Sequence, residues 1–252
     1  MGQQIQSDFD QHWQGNLLSQ VSDSKLREVE SFFEPVLDLL RVQPTEVLDV
    51  GCGDGVHWRY LHSLENEQLG YTGIDLSAVA IQRMHQLSVG KKDCLIQMDG
   101  TALALPSDVY DLVFAFGVVA YTSDPRRCFK ELCRVCKPGG WIGVWIYPKQ
   151  EGLAWLAFRL VRQVCRRVSP FWTRRVADLI VPFLGTLPTR SKMSLRNSTW
   201  RQCREVVLVN IAPKQLAFFR RDEIAAWFMA HGVDIEYEDR DNPITIWGRK
   251  QR

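Results

Sequence analysis

No uninterrupted apolar run in this 252-residue chain reaches membrane-spanning length, so no transmembrane helix is expected. The N-terminus, Met1 to Asp8, lacks the apolar centre of a secretion signal, and Gln6 stands where a myristoylation motif needs Ser or Thr. Without an export signal, seven cysteines, an odd number, read as reduced thiols in a cytoplasm. The sequon Asn197-Ser198-Thr199 then has no meaning. Cys133 and Cys136 form a C-x-x-C pair, but no second pair follows at zinc spacing, and no metal is expected. With Phe129 and Leu132 they recur at i, i+3, i+4 and i+7, which reads as the core face of a helix.

What the chain has is a glycine turn. Val47-Leu48-Asp49-Val50 is a short buried strand that runs into Gly51, Cys52, Gly53, Asp54 and Gly55. Gly51 and Gly53 have no Cβ, so they allow positive φ and let a ligand touch the backbone. Asp75 follows about two dozen residues later, where a β-α-β crossover delivers the next strand end and a ribose-binding acid belongs. A dinucleotide fingerprint would need Gly or Ala at position 56; Val56 weakens a nicotinamide reading. A tight strand-to-helix turn with no ligand is the competing explanation.

Further motifs stand in order: Gly73-Ile74-Asp75, Met98-Asp99-Gly100, Tyr110 to Phe116, and Lys137-Pro138-Gly139-Gly140-Trp141. Together with the glycine turn the series resembles a class I S-adenosylmethionine (SAM)-dependent methyltransferase of the small-molecule (type 11) group. The resemblance covers residues 44–148 strongly and 220–249 more weakly. It implies a Rossmann-like α/β fold: a seven-stranded, mostly parallel sheet with one antiparallel C-terminal strand, helices on both faces and a helical insertion after the fifth strand.

The sequence pattern agrees with that order. Strands are predicted over 46–50, 71–75, 94–98, 110–116, 141–147, 233–239 and 243–249, and alternation with helices argues for a parallel sheet. The 110–116 run is almost wholly apolar, as a doubly covered strand requires. A helix over 24–40 carries Leu26, Val29, Phe33, Val36, Leu37 and Leu40 inward, with Pro35 kinking or splitting it. Ser77 caps the next helix. A helix over 125–136 ends at the breaker Pro138-Gly139-Gly140, and another opens at Arg221 and ends at Gly232. One methyltransferase domain over 1–252 would then divide into an N-terminal arm (1–43), a SAM-binding core (44–148), a basic cap (149–204) and a C-terminal part (205–252). In the arm, Phe9, Trp13 and Leu17 share a helical face that folds over the cofactor side or packs on the domain edge.

The resemblance assigns cofactor contacts residue by residue. Gly51, Cys52 and Gly53 approach the methionine portion, and Asp49 orders their loop. Asp75 accepts from both ribose hydroxyls, as a carboxylate with two acceptor oxygens can. Leu76 lies against adenine, Asp99 takes the adenine amino group beside Gly100, and Phe116 borders the sulfonium. The alternative for Asp75 is a helix N-terminal carboxylate, and for Asp99 a local Asp-Gly turn.

Methyl transfer to an oxygen or nitrogen mainly needs an acceptor held in line with the departing sulfur, with S-adenosylhomocysteine as product. Many members carry a histidine after the fourth strand, where this chain has Val118-Val119-Ala120-Tyr121-Thr122. Tyr121 and Tyr147 could instead orient an acceptor; His57 could approach it or be solvated. Rival readings are a non-catalytic SAM-binding scaffold and a nicotinamide oxidoreductase.

Charge is unevenly spread. Residues 149–204 hold twelve Lys/Arg against Glu151 and Asp178, net +10 in a chain of +2. Leu153, Leu156, Leu160, Val164 and Val168 recur at helical spacing with Arg159, Arg162 and Arg166 off that stripe, and Pro170 should halt the helix. This cap reads as a solvated basic face, as a selector of an anionic or amphipathic small-molecule acceptor that could rest on an anionic membrane, or, least, as an RNA binder.

Overall fold

Strands that are apolar on both faces sit at the centre of a layered α/β fold, covered by helices on each side. In a computed structural model, which describes residues 10, 23–43, 45–88, 93–184, 200–213, 215–239 and 243–252, these are β1 (Thr45–Val50) and β4 (Tyr110–Phe116), side by side. The full sheet runs β3-β2-β1-β4-β5-β7-β6, with β2 at Leu69–Asp75, β3 at Cys94–Gln97, β5 at Cys136–Ile146, β6 at Val233–Asp239 and β7 at Ile244–Lys250. Neighbours are parallel except β7, which is antiparallel to both β5 and β6. The expected seven-stranded, Rossmann-like sheet is therefore present. Phe9, Trp13 and Leu17 lie outside the described residues, as do Arg190, Lys192 and Arg196.

Alternation along each strand splits the core in two. Leu48, Val50, Val113, Ala115 and Val144 point to one side, where Phe129 and Leu132 of α5 (Pro125–Val135) and Trp227 and Phe228 of α9 (Arg221–Ala230) cover them. Val47, Phe114, Phe116 and Trp247 point to the other. There Phe32 and Phe33 of α1 (Asp23–Phe33), Trp58 and Leu61 of α3 (Val56–Ser63) and Met84 of α4 (Ala78–Leu87) close the layer. Pro35 does split the N-terminal helix: a 3-10 turn at Glu34–Val36 separates α1 from α2 (Leu37–Val42). Trp247 is fully buried and donates its indole N–H to the Phe32 carbonyl (2.7 Å), tying α1 to the last strand. Gly143 makes room for that ring, since a Cβ there would come within 2.5 Å of it.

Three expectations are corrected. Pro138-Gly139-Gly140 does not break α5 from β5; the strand starts at Cys136 and the three residues form a bulge, Tyr110 pairing with Cys136 and Leu112 with Trp141. The bulge absorbs the extra residues because Gly139 takes φ +79°. Pro170 does not only stop a helix. It opens α7 (Pro170–Leu184), as proline can at a first turn, after α6 (Leu153–Cys165) has ended. The third concerns direction. The apolar stripe of α6 faces outward: Leu153 is 86% exposed and Leu156, Leu160 and Val164 are all exposed, while Arg162 is buried. With α8 (Trp200–Ile211), α6 and α7 enclose a small core of their own, built on Cys165, Ala177, Val181, Cys203 and Val207.

Candidate functional site

β1 is flanked by β2 on one side and β4 on the other, so the connections leaving β1 and β4 diverge and leave a crevice at their carboxyl ends. The glycine turn, Asp75 and Asp99 stand at or just after the carboxyl ends of β1, β2 and β3. Gly51, Gly53 and Gly55 all take positive φ (+84°, +52° and +77°), which folds the β1–α3 loop tightly against the strand ends. The N–H groups of Gly51 and Cys52 both donate to the Ile74 carbonyl, at 2.7 and 2.9 Å. A Cβ on Gly51 would sit 2.1 Å from a methyl of Val118, so the loop also packs directly on the segment that follows β4.

Asp75 ends β2 beneath this loop. Its Oδ2 accepts from Gly53 N–H (3.0 Å) and its Oδ1 from Ser77 N–H (2.8 Å). Burial pushes its carboxyl up to about 6, although both N–H groups pull the other way; Asp49 and Asp10 add to the rise. Asp10, the one described residue before Asp23, accepts a hydrogen bond from Ser77 Oγ. Part of the arm therefore reaches the Asp75 side of the crevice. Leu76 is half-buried beside it.

Asp49 is fully buried. Its Oδ2 accepts from the Tyr71 hydroxyl (2.8 Å), while Oδ1 has no partner among the described residues. The route to Tyr71 runs over Gly73, which pairs with Asp49 in register; a Cβ on Gly73 would press within 2.9 Å of the Tyr71 ring. Tyr71 went unnoticed in the sequence, and this register is the signal that would have found it. Burial first, then the charges of Asp49 and Asp75, drive the Cys52 thiol well above its ordinary pKa, so it is an inert thiol.

Met98 N–H donates to the Asp75 carbonyl (2.9 Å), which places Asp99 and Gly100 next along the edge. Asp99 Oδ1 is occupied by a local turn, accepting from the Thr101 N–H and hydroxyl at 2.8 Å each. That leaves Oδ2 for a ligand. Gly100 lies against Val50 and Cys128, where a Cβ would be crowded at 3.1 Å.

Beyond β4 and β5 the crevice is aromatic. Phe116 stacks on Trp145 (centroids 4.7 Å apart) and meets Phe32 edge-on. The Lys25 ammonium lies 4.4 Å above the Phe116 ring, so this wall already receives a cation. His57 is not solvated, contrary to the sequence reading. It is buried against Phe33, Phe114 and Phe116, with Nδ1 3.6 Å from Asp49 Oδ2 and no hydrogen-bond partner among the described residues.

Tyr121, in a 3-10 turn at Val119–Tyr121, meets Tyr147 edge-on with ring centroids 6.0 Å apart, and their hydroxyls are hydrogen-bonded. Burial raises both phenols, Tyr147 to about 12 with a further push from the Glu28 charge. Neither can serve as a phenolate base near neutrality. Lys25 and Glu28, an ion pair on α1 at 3.1 Å, were missed in the sequence because they fall off the helix's apolar stripe. Arg162 was also misread. Its guanidinium turns inward to the carbonyls of Asn210 (3.1 Å) and Leu216 (3.5 Å), and burial with nearby Arg166 lowers its pKa to about 10. Ala217 N–H then donates to the Ala120 carbonyl (2.8 Å), so the segment after α8 lies over the post-β4 turn.

Residues 48–144 match a family model described as a methyltransferase domain. The chain is 32% identical over 137 residues to a cycloartenol-C-24-methyltransferase of Arabidopsis thaliana, covering 52% of this chain and 38% of that protein. It is 29% identical over 141 residues to a ubiquinone biosynthesis O-methyltransferase of Klebsiella pneumoniae, covering 54% and 56%. The chain thus spans about half the length, or less, of these curated relatives. The solved magnesium protoporphyrin IX methyltransferase of Synechocystis PCC 6803, with bound S-adenosylhomocysteine (SAH), shares the fold. Its TM-score is 0.62 at 14% identity, over 99% of both chains.

Proposed function

We propose, for a chain that belongs through residues 48–144 to the class I SAM-dependent methyltransferases, that it methylates an oxygen or nitrogen of a lipid-like small molecule. SAM is the cofactor of this family. The observation that carries the reading is the pairing of a glycine loop, left-handed at three positions, with the buried Asp75 at the sheet's switch point.

The residues fit that cofactor. Each Asp75 oxygen now accepts one backbone N–H and keeps a lone pair for a ribose hydroxyl. The orphaned Asp49 Oδ1 is a buried acceptor behind the loop, suited to an ammonium or a bridging water of the methionine portion. Asp99 Oδ2 is the acceptor for the adenine amino group, with Leu76 against the ring. The faces of Phe116 and Trp145 favour a positively charged sulfur, just as they favour Lys25. When bound, SAM supplies an activated methyl group on that sulfur.

The acceptor side is then built by Tyr121, Tyr147, α1 and the segments flanking the insertion. The two phenols hold and orient the acceptor by hydrogen bonding, and Glu28 is the carboxylate whose charge reaches Tyr147. His57 supports Phe116 from within the core rather than meeting the acceptor. A lipid-like acceptor fits the aromatic walls, and two relatives act in cycloartenol methylation and ubiquinone biosynthesis. Calorimetry with SAM, SAH and NAD, followed by radiolabelled methyl transfer into a lipid extract, tests the reading. SAM and SAH should bind and label should enter the organic phase. Binding of NAD alone would overturn it.

A further inference from the structure

α6 is inside out for a protein in water. At 100° per residue, Leu153, Leu156, Leu160 and Val164 fall within roughly 80° of one another. All four are more than half exposed. The opposite side of the same helix buries Arg162 and Cys165. α7 repeats the arrangement: Ala177 and Val181 face the shared core, while Phe171, Trp172 and Leu179 are exposed at 58%, 60% and 71%. Among the described residues, nothing covers the aliphatic and aromatic side chains that these two adjacent helices direct outward, and such clustered exposure marks an interaction surface.

Cations surround it. Arg159 on α6, Arg174 and Arg175 on α7, and Arg166 and Arg167 in the turn between them are all exposed. The acid within them, Asp178, is already met by Arg204 at 3.6 Å. Beside α6 an open groove of about 930 Å³ is lined by Leu156 and Leu160 and by Lys149, Arg159, Arg166 and Arg167, against one acid, Glu223. No described helix is long and apolar enough to cross a membrane. Apolar side chains at the centre, with arginines on the flanks, match a helix that lies in a bilayer interface.

We propose that α6 and α7 dock the protein on an anionic phospholipid bilayer, the leucine stripe and Trp172 entering the acyl boundary and the arginines engaging headgroup phosphates. Charge argues against a second copy of this chain, because residues 153–184 carry net +5 and two such faces would repel. The four exposed aliphatic side chains of α6 argue against RNA, because they offer bases no stacking partner and water-exposed nucleic acid would leave them uncovered. The docking does not depend on methyl transfer, so either reading can fail alone.

The test is flotation of the full chain with phosphatidylcholine vesicles and with vesicles containing phosphatidylglycerol. The chain should float with the second and not the first, and salt should release it. Arg166→Glu with Arg167→Glu should weaken partitioning by roughly thirty-fold or more, since each basic residue contributes about a fivefold factor at such a surface. Leu156→Asp with Leu160→Asp should abolish it, and brominated lipid should quench the wild-type fluorescence less in Trp172→Phe. SAM affinity and the melting temperature of each variant should stay at wild-type values, which separates docking from folding. Failure to float with phosphatidylglycerol would overturn the proposal, as would wild-type flotation by the leucine variant. So would a dimer that the leucine variant dissociates, or RNA-homopolymer binding without vesicle binding.

Discussion

Asp75 gives the sharpest test, because its titration couples folding and cofactor binding with opposite signs. Burial raises its carboxyl from 3.8 to about 6 in the unliganded protein. The folded state therefore holds this proton more tightly than the unfolded chain. The stabilisation is complete below 3.8 and is lost as pH rises through 6, a contribution of about 3 kcal/mol across the window. Ribose hydroxyls donate to the ionised form, so SAM must compete with the proton. At pH 5, one unit below the folded value, about a tenth of the protein is ionised, and SAM affinity should be roughly tenfold weaker than at pH 7. Calorimetry at pH 6 in two buffers of different ionisation enthalpy should show release of roughly half a proton per SAM bound. Asp75→Ala should abolish that release and weaken binding by about 2 kcal/mol. Affinity that stays flat between pH 5 and 7, or equal proton release in Asp75→Ala, would refute the reasoning.

Other substitutions probe the neighbouring contacts. Gly51→Ala combines φ +84° with a 2.1 Å approach to Val118 and should destabilise by roughly 2–4 kcal/mol in urea titration; adding Val118→Ala should recover only the steric part. Tyr121→Phe and Tyr147→Phe should each lower kcat/KM for the true acceptor about fivefold, one hydrogen bond's worth, with SAM affinity unchanged. Because burial holds Tyr147 near 12, no rate increase from phenolate should appear between pH 7 and 10. Arg162→Ala strips the carbonyls of Asn210 and Leu216 of their donor and should cost about 2–3 kcal/mol. Limited proteolysis should then cut the 149–216 region faster.

The core of the fold was legible because its signals are local. Strand positions come from short apolar runs, a helix cap from Ser77, and the split of the first helix from Pro35. The glycine loop and Asp75 were legible for the same reason: backbone freedom and a carboxylate at a strand end are properties of single positions. Tyr71, Lys25 and Glu28 were not. Each joins the site through strand register or helix docking, and their own neighbours in the chain give no sign of it. His57 was misjudged as well, since a helix's second residue is buried or solvated according to what packs on it, here Phe33 and Phe114.

The sequence by itself determined the order of strands and helices, the glycine turn with its acid, and the surplus of charge after β5. It also determined that α6 has one apolar and one basic side. Which side faces inward was decided only in three dimensions. Periodicity records the separation of the two faces but carries no information about where the remaining core lies. The guanidinium of Arg162 finds two backbone carbonyls, of Asn210 and Leu216, in the segment that follows the insertion, and satisfying them there leaves the leucines turned outward.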